Sequence, residues 1–425
     1  MRHPKKNFFI LYLAMLISFS YAQETREISL QECMDQAVMQ HPLYSQHQLQ
    51  SQLSTLQLAD LQSELLPIIS LNGKASWQNE VFNFPFSLPG LTIPEVSKDQ
   101  YRLSLDINQP IYRGGLIKHQ NEMEMSALAI ADRLTDKELY SIKSQTKNVF
   151  FQNILIVKQK QIVESYLEIL SQKHQEAKVL VDEGVALASV LDVLKLEIIN
   201  TKQEIQAIDA NRNSLIKNLI ELTHLEIDEN SQFTLPEIND LPQLNQDRIE
   251  YHLLSLQQQQ LEKSKSLMDA KTRPMLFAFA TAGVGRPGFN MLSDDFDDFY
   301  MLGLNLKWDI WDWNKTKNDK KIADINKELI ETKKQSFELT IQLSLNHLMA
   351  EIEKQLALIE KDPEIISLRE NVAKTAEAQF KNGTLSSSDY VVELQKLNQA
   401  KLNYEIHQIG LINSRLSYLE LLGKL

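Results

Sequence analysis

Four aspartates, Asp294, Asp295, Asp297 and Asp298, form the densest run of carboxylates singled out in this chain. Carboxylate oxygens packed this closely are hard ligands and would suit a divalent cation at a cell surface. The ligand spacing of an EF-hand calcium loop is missing, however, and a solvated acidic loop is the plainer reading of the same residues. The run Gly283-Val284-Gly285-Arg286-Pro287-Gly288 has enough glycine to suggest a phosphate cradle. Its proline interrupts any helix start and no strand-helix-strand unit surrounds it, so it reads as a loop. The nine histidines are scattered without metal-ligand spacing. HExxH, GxSxG and Walker sequences are all absent. The chain therefore presents no catalytic constellation, and neither a cofactor nor a metal site is expected in what reads as a non-enzyme.

The elements that would position any site are written twice. Gln109-Pro110-Ile111-Tyr112-Arg113-Gly114-Gly115 and Trp308-Asp309-Ile310-Trp311-Asp312-Trp313-Asn314 stand 199 positions apart. The same offset pairs Gly184 with Gly383 and His224 with Gly423, and an offset of 207 pairs Pro67 with Pro274. One unit of about 200 residues is used twice, each copy reading helix, strand, strand, long helix, turn, helix.

Composition narrows the classes. A hydrophobic share of 43% and a charged share of 24% exclude a disordered chain. Only 12 Gly and 12 Pro in 425 residues favour long uninterrupted elements rich in Gln, Lys, Glu and Leu. The net charge of −12 argues against a nucleic-acid partner, which would require clustered Lys and Arg. Arg2, Lys5 and Lys6, the apolar residues 8–19 and Ser20-Tyr21-Ala22 read as a cleaved secretion signal over 1–22. The apolar run is short for a membrane span, and no other window is apolar enough for a transmembrane helix. If the mature chain enters a membrane, strands must do the spanning. Cys33 is the only cysteine and reads as an ordinary helix residue.

Residues 29–66 read as a helix stopped before Pro67. The period then changes to two. Ile69, Leu71, Gly73, Ala75 and Trp77 alternate with Ser70, Asn72, Lys74, Ser76 and Gln78. Tyr101, Leu103, Leu105 and Ile107 alternate with Arg102, Ser104, Asp106 and Asn108. In the second copy Leu302, Leu304, Leu306, Trp308 and Ile310 alternate with Gly303, Asn305, Lys307 and Asp309, while 275–284 is apolar or small on both faces. Such alternation marks strands with one apolar and one wet face. Two readings stay open: a half-buried sheet on a soluble core, or a transmembrane barrel with Arg102, Ser104, Asp106, Asn108, Asn305 and Lys307 facing a wet lumen. Four strands cannot close a barrel, since the smallest have about eight; three chains would supply twelve. Helices are expected at 115–182, 188–222, 250–273, 314–381 and 387–422, the two longest on the order of 100 Å at 1.5 Å per residue. Pro363 should kink or break the second long helix. The loops 81–96, with Phe82, Phe84, Pro85, Phe86, Pro89 and Pro94, and 286–299 join the strands. Residues 226–247, with Pro236 and Pro242, read as a linker crossing outside the helices between repeats at 23–225 and 248–425.

In that order, the pattern resembles the outer-membrane efflux channel family, the TolC-like proteins of Gram-negative bacteria. The residues that carry it are Ser29-Leu30-Gln31-Glu32 with Ala37 and His41-Pro42, Leu65-Leu66-Pro67, the corner 109–115, Gly383-Thr384-Leu385-Ser386-Ser387-Ser388-Asp389 and the terminal Leu421-Leu422-Gly423. The resemblance implies a mainly α chain, a long α-helical coiled-coil barrel whose four strands join a shared 12-stranded transmembrane β-barrel in a homotrimer. It implies an outer-membrane exit duct reaching into the periplasm, partnered by a periplasmic adaptor (membrane fusion) protein and an inner-membrane RND or ABC transporter, for efflux or type I secretion. Pro67, Pro110, Gly114, Gly115 and Pro274 would form strand-helix corners, and Gly184 and Gly383 the tip turns, whose glycines permit positive φ. Asp389 would fall on the first aspartate of a periplasmic gate. The next expected acidic position is Val392, and in the first copy Asp192 lies two positions past the equivalent Val190. A capping role for Asp389 competes with the gate. The alternative function is a periplasmic coiled-coil scaffold without a channel, which leaves the strand alternation without a purpose.

Overall fold

The computed structural model describes residues 26–81, 97–228, 231–238, 240–242, 247–290 and 293–425. The expected signal at 1–22 and the aromatic and proline positions 82–96 lie outside the described residues. The helices are α1 (Leu30–Gln40), α2 (Gln46–Ser63), α3 (Leu116–Asp182), α4 (Ser189–Thr223), α5 (Ile249–Lys271), α6 (Lys315–Lys381) and α7 (Ser387–Leu421). The strands are β1 (Glu27–Ser29), β2 (Ile68–Trp77), β3 (Asp99–Tyr112), β4 (Gln232–Thr234), β5 (Met275–Arg286) and β6 (Asp297–Lys307). No described helix is long and apolar enough to cross a membrane.

The chain divides into two compact units that do not follow the repeats, because each takes segments of both. One comprises the residues up to Tyr44 with Lys137–Arg248 and Leu339–Leu425; the other comprises Ser45–Asp136 and Ile249–Glu338.

In the first unit, α1 starts on a side-chain cap: Ser29 Oγ accepts from Glu32 N at 3.1 Å. Leu30, Cys33, Met34 and Ala37 recur at helical spacing and are all buried. Leu30, Cys33 and Met34 join Phe150, Phe151, Ile154, Ile216, Leu219 and Ile409 in one core. Helix α1 stops at His41, whose extended backbone is what a following proline favours. The continuous helix expected over 29–66 is therefore broken at His41-Pro42, with a 3-10 turn at Pro42–Ser45 before α2. The 226–247 linker departs from its reading as well. Its β4 pairs in parallel with β1, matching Ile28 with Phe233, and Ile227, Phe233, Leu235 and Ile238 pack on the core. Arg415 donates to Ile238 O at 2.8 Å. Part of the linker is thus core rather than an outer connector.

Helices α3 and α6 each run 67 residues. Helix α6 passes unbroken through Pro363, so of the expected kink or break the break does not occur. Proline removes one backbone donor, and the loss is local. Its neighbour Asp362 is buried, with Oδ2 2.7 Å from His407 Nδ1 on α7.

The second unit carries a four-stranded sheet in the order β2-β3-β5-β6, antiparallel throughout. Strand β5, the least patterned in sequence, sits inside the sheet. Its alternation is one of size rather than polarity: Ala278, Ala280 and Ala282 share one face, Phe277 and Phe279 the other. Gly283 to Arg286 continue β5, so most of the glycine-rich run is strand rather than loop. Asp297 and Asp298 open β6 opposite Gly285 and Val284. Strand β6 ends at Lys307, short of Trp308 and Ile310.

Candidate functional site

Register alone sorts the sheet into two faces. Across one face lie Leu71, Leu105, Ala282 and Tyr300, with Leu103, Ile107, Leu302 and Leu304 in neighbouring rows. These side chains have no core beneath them: Leu71 is 70% exposed, Leu302 75% and Leu304 70%. A contiguous apolar surface of this kind marks an interaction with lipid or with another protein.

On the opposite face the register collects Arg102, Ser104, Asp106 and Asn108 from β3 with Asn305 and Lys307 from β6. All six expected lumen residues therefore share one face. Asp106 organises it, accepting from Asn72 Nδ2 at 2.6 Å, Thr281 Oγ1 at 2.6 Å and Ser104 Oγ at 3.0 Å. The Arg102 guanidinium lies 4.5 Å from the centre of the Phe299 ring and 5.5 Å from that of Phe289, a cation–π geometry. Sequence reading did not anticipate this aromatic support. Its trace was Gly283, where an added Cβ would meet Leu103 O at 2.3 Å and Phe299 at 2.8 Å. The glycine lets the ring lie flat on the strand.

The corners are built as their residue types suggest. Pro67 and Pro274 directly precede β2 and β5, and Pro110 sits in β3 at a register irregularity, where a missing donor is tolerated. Gly114 and Gly115 take φ of 62° and 81°. The Gly114 carbonyl accepts from Arg273 Nη1 at 3.2 Å, and Arg113 pairs with Glu64 at the end of α2.

At the other end of the long helices, Gly184 and Gly383 take φ of 73° and 72°. Each closes its helix in the same way: Gly184 N donates to Val181 O at 3.0 Å and Gly383 N to Phe380 O at 3.0 Å. Asp389 is exposed at the start of α7. Ser386 Oγ accepts from Asp389 N at 3.1 Å and donates to Asp389 Oδ2 at 2.7 Å, capping the helix. Asp192 is exposed in the first turn of α4, which has no side-chain cap. Glu393 turns away to Lys396 at 2.7 Å and Arg369 at 3.5 Å.

Behind these turns lies a network that sequence reading missed, because its members are far apart in the chain. Lys173 on α3 is buried and donates to Glu377 on α6 at 2.7 Å and to Glu176 at 2.9 Å. The hydrogen bonds from Lys173 hold both carboxyls below their usual range. Tyr166 OH donates to Glu197 on α4 at 3.0 Å, and Gln395 on α7 donates to the same oxygen at 2.7 Å. Burial pushes the Tyr166 hydroxyl well above its ordinary value. Phe380 stacks on buried Tyr390 at 5.0 Å.

The acidic run at 294–298 shows no ligand cluster. Asp294 accepts from Ser97 N and Oγ, both at 2.7 Å, and lies 3.5 Å from Arg286. No group of three potential metal ligands occurs among the described residues.

No family profile matches the chain, and no curated protein does. Solved structures do. The outer membrane protein VceC from Vibrio cholerae matches at 13% identity with a TM-score of 0.68, over 93% of this chain and 96% of its own. The Campylobacter jejuni CmeC outer membrane channel matches at 14% identity and 0.67, over 93% and 85%. The outer-membrane channel OprN matches at 14% identity and 0.70, over 93% and 90%. The chain has the fold of these outer-membrane channels, mainly α with a small set of strands.

Proposed function

We propose that the chain is a passive outer-membrane channel that closes its barrel with two further copies of itself. It would act as the exit duct of a tripartite efflux pump or type I secretion system, reaching into the periplasm. An RND or ABC transporter in the inner membrane would drive export through a periplasmic adaptor. The observation that carries this reading is the sheet. Its four strands expose an apolar face on one side and a hydrogen-bonded polar face on the other. Its edge strands β2 and β6 have no outer neighbour among the described residues. Unpaired strand edges are not tolerated in lipid, and closing the sheet with strands of other copies removes them. Exposed Leu49, Leu53 and Leu56 on α2 and Ile322, Ile325 and Leu329 on α6 give helical apolar stripes to the same unit, as copies packed side by side require. In this reading the six polar strand residues line the lumen, and Asp389 and Asp192 lie at the periplasmic constriction. The scaffold alternative leaves the apolar sheet face in water.

The deciding experiment is the native mass of protein extracted from outer membranes in mild detergent, followed by conductance in planar bilayers. A particle of three chains that conducts is expected. A monomer that stays soluble without detergent overturns the reading. Asp389→Ala should change cation selectivity, whereas Ser386→Ala, which removes the cap and keeps the charge, should not.

A further inference from the structure

The corner between β6 and α6 is unlike its counterpart in the first repeat. Where Gly114 and Gly115 take positive φ, the second repeat has Trp313 and Asn314 at 56° and 65°. A left-handed conformation is unfavourable for a bulky side chain and persists only where something requires it. Here the turn itself requires it, with Lys315 N donating to Asp312 O at 3.1 Å, but the side chains it carries are bare: Trp313 is 84% exposed and Ile310 75%. Trp311 meets Trp313 edge to face at 6.0 Å, and Trp308 Nε1 donates to Thr272 O at 3.1 Å. In sequence Trp308 and Ile310 follow Leu302, Leu304 and Leu306 in the same alternation, just past the end of β6 at Lys307.

Beside Trp308 and Ile310 opens a cleft of about 640 Å³ that also holds Lys317 and Lys321. Neither lysine has a hydrogen bond or ion pair among the described residues, while the third, Lys320, pairs with Asp269. Two of the cleft's carboxylates are committed: Asp312 accepts from Thr316 N at 2.8 Å, and Asp324 pairs with Lys265. Asp309 is the remaining one. The first repeat keeps Ile111, Tyr112 and Lys118 where Ile310, Trp311 and Lys317 stand, but has Gln109, Gly114 and Glu122 for Trp308, Trp313 and Lys321, so the paired lysines and the outer tryptophans belong to the second copy alone.

We propose that this corner is a binding site for a phospholipid of the membrane that the barrel spans. Acyl chains lie along the sheet's apolar face and the tryptophans, and the phosphate sits between Lys317 and Lys321. Asp309 faces the ammonium of an ethanolamine headgroup. Indole rings favour the boundary between acyl chains and headgroups, and lysines extend from there to phosphate. The exposed Trp313 ring then has its contacts outside the chain. The inference rests on the channel reading above.

The test uses the detergent-extracted full chain, titrated with phosphatidylethanolamine and read by native mass spectrometry, with diacylglycerol of the same acyl chains as control. Phosphatidylethanolamine should bind and diacylglycerol should not. Replacing both lysines, Lys317→Gln with Lys321→Gln, should weaken binding roughly 30-fold, at about fivefold for each lysine near a lipid surface. Trp313→Gly restores the residue type that tolerates this φ, so the protein should fold at least as well. Bromine-labelled phosphatidylethanolamine should quench its tryptophan fluorescence less than that of the parent. Equal binding of diacylglycerol, unchanged affinity in the lysine variant, or equal quenching would each overturn the site. So would displacement of the lipid by inorganic phosphate alone, or a disulfide between copies through Trp313→Cys. These failures leave conductance intact, whereas failure of the channel reading abolishes it.

Discussion

Gly114 and Gly184 have nearly the same backbone, with φ of 62° and 73°, but different surroundings. At Gly184 an added Cβ meets nothing within 4 Å, whereas at Gly114 it meets Arg273 Cβ at 2.8 Å and Ala270 O at 2.9 Å. Alanine at Gly184 should therefore cost only the left-handed term, roughly 1–2 kcal/mol. Alanine at Gly114 adds the displacement of a packed backbone, roughly 1–3 kcal/mol more, for a total of about 2–5 kcal/mol. The second repeat supports the separation, since Trp313 occupies the position equivalent to Gly114 with φ 56°. Left-handed backbone alone thus does not forbid a side chain there; the close approach of Arg273 and Ala270 does. Urea unfolding measures the difference. Trp77, Trp308, Trp311 and Trp313 all lie in the unit that contains Gly114, so tryptophan fluorescence reports its opening. Circular dichroism follows the helices ended by Gly184. The midpoint for Gly114→Ala should fall further than that for Gly184→Ala, by the equivalent of about 1–3 kcal/mol. Equal shifts would refute the steric argument.

Further outcomes follow from the helical unit. Glu176 and Glu377 have depressed folded pKa values, so their contribution is present above the ordinary carboxylate value of 4.5 and is lost as pH falls below it. Lys173→Met should flatten that acid limb in a pH series of urea midpoints; an unchanged slope would sink the assignment. Lys147 is buried, donating to Ser417 Oγ at 2.7 Å and Glu420 Oε2 at 2.5 Å. Glu420→Gln strands that charge and should cost about 3–5 kcal/mol, while Lys147→Met should cost less; the reverse order in denaturation would contradict the desolvation argument. Burial pushes the Cys33 thiol up to about 12, so an aromatic disulfide reagent at neutral pH should label it only after unfolding. Rapid labelling of the folded protein would refute that packing. Removing the Ser386 cap should destabilise α7 by about 1 kcal/mol, visible as faster hydrogen exchange in its first turn.

Long helices and half-polar strands were legible in sequence because each has a short repeating period. A 67-residue helix without glycine offers the backbone no cheaper alternative, and strict alternation over 101–109 fixes which side chains share a face. The corner and tip glycines were legible for a related reason, since positive φ selects residue type locally. Short-range signals failed where tertiary contacts set the outcome. Three-residue strands such as β1 and β4 carry no period and form only because Ile28 and Phe233 meet across about 200 residues of chain. Pro363 read as the site of a kink or a break, and the break does not occur because one lost hydrogen bond does not end a helix of this length. Asp294 read as part of a solvated acidic loop until the fold brought Ser97 to it, and nothing near Lys173 in sequence announces Glu377. The chain by itself thus determined its elements, their faces and its duplication, because those follow from local backbone preference and periodicity. Which polar groups find partners, and which apolar faces are left without one, was decided only by the folded arrangement, because desolvation and hydrogen bonding depend on what long-range packing brings within about 3 Å.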